Sequence, residues 1–408
     1  MQTVATAERT SAETIAGARG YRLTSIDALR GLVMVIMALD HVRDYVMVAA
    51  EQDPMANPNI GAALFFTRWI THYCAPTFVF LAGTSAGLMA SRKTPSALGG
   101  FLLTRGLWLI AIEWFVIATA WTFAPLGIAE TNGLVVVPMQ VIWAIGASMV
   151  VLAGAQFLGR RACLLLGVAV VAGHNLLDPR WPATTSLDPS GPLWAALHSQ
   201  VAHVVGPFFL VFAYPILPWI GVMLVGYGAA ALFERPPSRR DARLAAAGAA
   251  AVAAFLVIRA LGVYGDPNPW QGQGSAMRTV IDFLNVTKYP PSLDFLLMTL
   301  GPSAILCAYA DRIPEAIKRP FVMFGRVPFA FYVAHLYLIH GISVALGVMQ
   351  GFDAREFLTI MLFFPKGYGL GLPGVYGVWL LVIVVLYPFC RWVASVKARR
   401  RDWWLSYV

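Results

Sequence analysis

Between Ser25 and Asp44 an otherwise apolar stretch carries Asp27, Arg30, Asp40, His41, Arg43 and Asp44. Wound as a helix at about 100° per residue, Asp27, Arg30, His41 and Asp44 fall near about 0°, 300°, 320° and 260°, so they share one polar face. Met34 and Met37 line that face between its charged ends. Asp27 and His41 stand about 21 Å apart along the axis, which puts Asp27 and Arg30 at one mouth of a bilayer-crossing helix and His41 and Asp44 at the other. Such a face either flanks a cavity through the protein, or consists of a pair that starts the helix plus interfacial residues. The second reading leaves His41 without a reason to share the face.

His72 precedes the apolar run 75–91 and is expected at the same depth as His41. Two such histidines beside Asp40 and Asp44 suit general-base or acyl-carrier chemistry, plain interfacial hydrogen bonding, or a His–carboxylate metal site. The segment GRVPFAFYVAHLYLIH (325–340) sets His335 near mid-membrane with Tyr332 one turn away. A histidine at that depth needs a cavity or a neighbouring helix as partner. Glu113 and Arg259 are further buried-partner candidates. Lys288, Tyr289 and two prolines (TKYPPS, 287–292) form a rigid, basic, aromatic lip, read either as a dock for a sugar or anionic acceptor or as an interfacial anchor.

The elements that must hold these residues are membrane helices. The chain has 408 residues, 58% hydrophobic and only 12% charged, with a mean hydropathy of +0.67. A soluble chain would carry about twice that charge. Apolar stretches predict an all-α polytopic protein of about ten spans, at 27–48, 75–91, 103–123, 135–157, 162–178, 207–232, 243–263, 292–310, 321–347 and 374–395. Pro215 and Pro218 predict a kink or unwound turn in the sixth. With both ends cytoplasmic, 22 of the 30 basic residues fall on the inner side and 7 on the outer, with Arg259 inside a span. One membrane domain is expected over 22–397, with cytoplasmic tails at 1–21 and 398–408.

The long segments 49–74, 179–206, 264–291 and 348–373 then lie outside, and 61–73 reads as an amphipathic interfacial stretch. The net charge of +9 is scattered in short inter-span runs rather than gathered on one face, so nucleic acid is not an expected partner. Cys74, Cys163, Cys307 and Cys390 show no paired spacing and read as apolar packers. A Walker-type phosphate loop, HExxH and the kinase motifs do not occur in the sequence.

RLTSIDALRGLVMVIMALDHVRDY (22–45), RWITHYCAPTFVFLAGTSAG (68–87), LPWIGVMLVGYG (217–228), NVTKYPPSLDFLLMTLGP (285–302) and FGRVPFAFYVAHLYLIH (324–340) resemble a bacterial membrane family. That family is similar to the catalytic domain of heparan-alpha-glucosaminide N-acetyltransferase and distantly similar to the acyltransferase-3 membrane proteins. The latter carry an Arg/Asp start to their first span and a functional His near its outer end; Arg22, Asp27, Arg30 and His41 match that spacing. The resemblance implies a multi-pass protein of the bacterial cytoplasmic membrane that transfers an acyl group, acetyl first among them, from acetyl-CoA or another acyl-CoA to an extracytoplasmic sugar or amino sugar. It implies His41 as base or acyl carrier, oriented by Asp40 or Asp44, with His72 as the alternative. Asp27, Arg30 and Arg326 would meet the acyl-CoA, and Lys288, Tyr289, Tyr332 and His335 the acceptor. No metal is expected, and a homo-oligomer is compatible with the sequence. A transporter or flippase of a small polar or lipid-linked solute is the rival reading, since a polar first span and a proline-bearing sixth span suit it too. A scaffold with degenerate sites is the third.

Overall fold

The computed structural model describes residues 23–48, 55, 57, 60–178, 191–400, 402 and 405. The expected tail 1–21 lies outside the described residues, as does most of 398–408. The chain is mostly helical. In order come α1 (Thr24–Val46), α2 (Ala62–Thr71), α3 (Cys74–Met89), α4 (Pro95–Thr122), α5 (Val141–Leu158), α6 (Arg160–Leu177), α7 (Ile216–Phe233), α8 (Pro237–Leu261), α9 (Ala276–Leu284), α10 (Leu293–Arg312), α11 (Glu315–Arg326), α12 (Pro328–Met349) and α13 (Leu372–Arg399). Eight described helices are long and apolar enough to cross a membrane: α4, α5, α6, α7, α8, α10, α12 and α13. The other two expected spans fall on α1, which carries the charged residues named above, and on α3, which has 16 residues. Large side chains such as Phe115 and Leu165, both more than 70% exposed, cover the outside of the bundle. That is the surface of a protein solvated by lipid, and the chain is a multi-pass membrane protein.

Three expected spans are corrected. Residues Val135–Pro138 form strand β1 rather than the start of a helix, and Phe208–Val211 form β3, paired parallel to β1 and antiparallel to β2 (Ala202–Val205). Their β-branched and aromatic residues suit a pleated ladder. Pro215 and Pro218 do not kink the sixth span. Pro215 caps α7 and Pro218 sits in its first turn, where a missing N–H costs nothing. The ninth span divides at Val327, which leaves the helical region ahead of Pro328, so α11 is a separate helix. The small sheet has a positioning role: Met139 donates its N–H to Val211 O and Tyr214 donates to Met139 O, fixing the start of α5 beside Tyr214.

Lipid offers no hydrophobic drive between helices, so close contact must come from small residues. The α1–α11 crossing is an instance. A Cβ on Gly31 would lie 1.8 Å from Phe321 O, and one on Gly325 would lie 1.9 Å from Asp27 O. Replacing Gly31 by Val forces the two helices apart, and overpacking of this kind costs about 1–3 kcal/mol or more. We expect Gly31→Val to lose the monodisperse peak in size-exclusion chromatography. Gly100→Ala, whose Cβ would meet nothing within 4 Å, should leave it unchanged.

Candidate functional site

The polar face of α1 runs along the centre of the bundle. At one end Arg30 pairs with Asp27 at 3.4 Å and also donates to Ser85 Oγ and to Gly325 O, tying α1 to α3 and α11. Arg30, Met34, Met37, Arg105 and Tyr332 line a cavity of about 200 Å³. At the other end Asp40, His41, Tyr214, Gln140 and Lys288 line a chamber of about 20 Å³, room for about one water. The two share Met37, Phe78 and Val141 in their walls, so they are neighbours along the α1 face.

His41 meets His335 of α12. Their rings stack at 4.9 Å between centroids, and His41 Nδ1 lies 2.6 Å from His335 Nε2. The tautomers follow from the far end of this chain. His335 Nδ1 lies 3.1 Å from Phe331 O, and a carbonyl only accepts, so His335 Nδ1 carries the proton and donates it there. Its Nε2 is then an acceptor, His41 Nδ1–H donates to it, and His41 Nε2 is left with the lone pair. Trp121 stands edge-on to His41 at 5.2 Å, and Tyr332 flanks both histidines at 6.4 and 5.5 Å. The buried Tyr332 hydroxyl has no hydrogen-bond partner among the described residues.

The carboxylates lie beside this pair without hydrogen-bonding to it. Asp40 accepts from Arg68 at 2.6 and 2.7 Å and from Arg43 at 3.2 Å, and Lys288 Nζ lies 3.9 Å away. Asp44 pairs with Arg43 at 2.5 Å. The orienting contact that the resemblance gave to Asp40 or Asp44 is therefore made by His335 in this structure, and the carboxylates compensate three cations. Lys288 stands over the Tyr289 ring at 5.0 Å, and Tyr289 packs on Tyr214.

His72 is buried against Phe295 at 5.3 Å, and its Nδ1 has no partner among the described residues. Burial, reinforced by the Lys288 and Arg68 charges, pushes its imidazole well below the usual pKa and keeps it neutral. It is not among the residues lining the chamber. Arg326 is set apart from Arg30, in a groove between α11 and α13. Glu113 and Arg259 do not meet. Glu113, in a π-helical turn of α4, accepts the N–H groups of Gln140 and Trp143 and so caps α5. Arg259 donates to the carbonyls of Asn268, Asp282, Phe283 and Asn285, holding the segment after α8 in place.

Residues that the sequence reading left out include Arg68, Trp121, Gln140 and Tyr214. Only Arg68 left a trace, as a cation on the buried stripe of an amphipathic helix one turn from His72. Among the described residues no group of three or more His, Cys, Asp or Glu side chains is arranged to hold a metal ion.

A family model described as heparan-alpha-glucosaminide N-acetyltransferase, catalytic, matches residues 22–265. The match takes in α1 through α8, with His41, Asp40, Arg68 and His72, and stops short of Lys288, Tyr332 and His335. A search of curated proteins gave no match.

Proposed function

Since the chain belongs to the heparan-alpha-glucosaminide N-acetyltransferase catalytic family, matched over more than half its length, we propose that it transfers an acyl group, acetyl first among them, from cytoplasmic acyl-CoA to a sugar or amino sugar on the outer face. The proposal includes ten spans, counting α1 and α3, with both chain ends inside and the bacterial cytoplasmic membrane as the setting. The observation that carries it is the pair of chambers on the α1 face, one lined by Arg30 and Arg105, the other by His41 and Lys288, with Met37, Phe78 and Val141 lining both.

In this reading the thioester end of the donor occupies the larger cavity, with Arg30 and Arg105 toward its phosphates. The acceptor hydroxyl or amine comes from the Lys288–Tyr289 side. The outer chamber holds about one water as it stands, so the segment carrying Lys288 must move to admit a sugar. His41 Nε2 removes the acceptor proton as the acceptor attacks the thioester carbonyl. The imidazolium is stabilised by His335, whose Nε2 accepts the Nδ1–H. The Tyr332 hydroxyl donates to the carbonyl oxygen as charge develops on it. The C–S bond then breaks, and the proton held on His41 passes to the sulfur, giving acylated acceptor and free CoA.

The test is a titration of the detergent-purified protein with acetyl-CoA, read as the unfolding midpoint. A ligand present at 100 times its dissociation constant stabilises by about 2.7 kcal/mol. We expect a clear rise that Arg30→Gln weakens and His41→Ala keeps. No rise with any acyl-CoA would remove the acyl-transfer reading and leave the transporter one standing.

A further inference from the structure

α11 is amphipathic and, at 12 residues or about 18 Å, too short to cross a bilayer. Its Phe321 and Gly325 pack on α1. The stripe Glu315, Arg319, Val322, Met323 and Arg326, spaced one helical turn at a time, faces a matching stripe on α13 that includes Tyr387, Arg391 and Ser395. Between them lies a groove of about 410 Å³. Contact between Phe324 and Tyr387, 5.7 Å between rings, joins the two helices beside it.

Three guanidinium groups, Arg319, Arg326 and Arg391, line this groove. None of the three forms an ion pair among the described residues, while Glu315 is taken by Lys318 at 3.0 Å. The groove shares no lining residue with the cavity of Arg30 and Met34. On the other flank of α13, residues including Phe329, Val333, Trp392 and Val396 form a wholly apolar groove of about 370 Å³.

We propose that the α11–α13 groove is a binding site for the phosphate headgroup of an anionic phospholipid. Three arginines lining one groove, two from α11 and one from α13, match a phosphodiester in charge. The apolar side chains between the charges, Val322 and Met323, suit the glycerol backbone. A nucleotide is disfavoured as occupant because this groove shares no lining residue with the cavity on the α1 face. The site is independent of the acyl-transfer chemistry and stands whether or not that reading holds.

The experiment uses the full chain in mild detergent with added phosphatidylglycerol or phosphatidylcholine, read as the unfolding midpoint. Phosphatidylglycerol should raise the midpoint and phosphatidylcholine should not. The triple variant Arg319→Gln/Arg326→Gln/Arg391→Gln should need on the order of 100-fold more phosphatidylglycerol for the same rise. If the triple variant does not fold, Arg391→Gln alone should need about fivefold more. Arg161→Gln, on α6, should respond as the wild type does. An equal response to both lipids, an unchanged response in the arginine variants, or an equal loss in Arg161→Gln would overturn the proposal. So would a rise with CoA that the triple variant loses and that phosphatidylglycerol competes away, since the groove would then belong to a nucleotide.

Discussion

His41→Ala should lower acyl transfer by about 10²–10⁴-fold, the usual contribution of a positioned general base, while acetyl-CoA binding persists. The side chain's contacts are His335, Trp121 and Tyr332, and of these only Tyr332 lines the larger cavity. Its partner is expected to act with it as one unit. His335→Ala removes the acceptor for His41 Nδ1–H and frees the His41 ring to turn, so it should cost a similar factor. The double variant should then be little worse than either single one. His335→Gln offers an amide oxygen near the lost Nε2 and should recover part of the rate. Single-turnover assays with labelled acetyl-CoA separate these effects from binding. Full turnover in His41→Ala would exclude it as the base and move the assignment to His72, whose neutral ring fits the role chemically.

Asp40→Ala should be the most destabilising single change at the site, by about 3–5 kcal/mol. Asp40 is the carboxylate common to Arg43, Arg68 and Lys288, and it is nearly buried with both arginines. Truncation leaves these cations in a poorly solvated pocket without the carboxylate they share, while Asp44 stays beside Arg43. Removing Arg68 as well should recover much of the loss, because the cation that bonds both Asp40 oxygens is then gone. The measurement is a double-mutant cycle on thermal unfolding in detergent. A variant Asp40→Ala as stable as wild type would mean that water already solvates these groups and that the ion cluster holds nothing together.

Much of this architecture was legible in the chain. Runs of about 20 apolar residues must be helical in lipid because no water is present to satisfy the backbone, and that constraint marked every long helix in α4 through α13. The polar face of α1 was legible for a related reason: charges are too costly in a span to be there idly, and helical geometry alone places Arg30, Met34, Met37 and His41 on one side. The strands β1 and β3 were not legible. Val135–Pro138 is as apolar as the helix that follows it, and hydropathy does not distinguish a buried strand from a helical turn. The break at Val327 was hidden for the same reason, by apolar residues on both sides of it.

Which residues meet was decided only by the tertiary structure. His41 and His335 are 294 positions apart, and a helix's own period says which face a residue occupies but not which helix lies opposite. The resemblance gave Asp40 or Asp44 the role of orienting His41. Adjacent residues on a helix point about 100° apart, and the carboxylate turned instead to Arg68 on α2. The sequence by itself therefore determined that this is a membrane bundle with a polar helix at its centre. The partners of that helix's His and Asp side chains depended on glycine-permitted crossings such as Gly31 on Phe321, where backbones approach closely enough to set one helix against another.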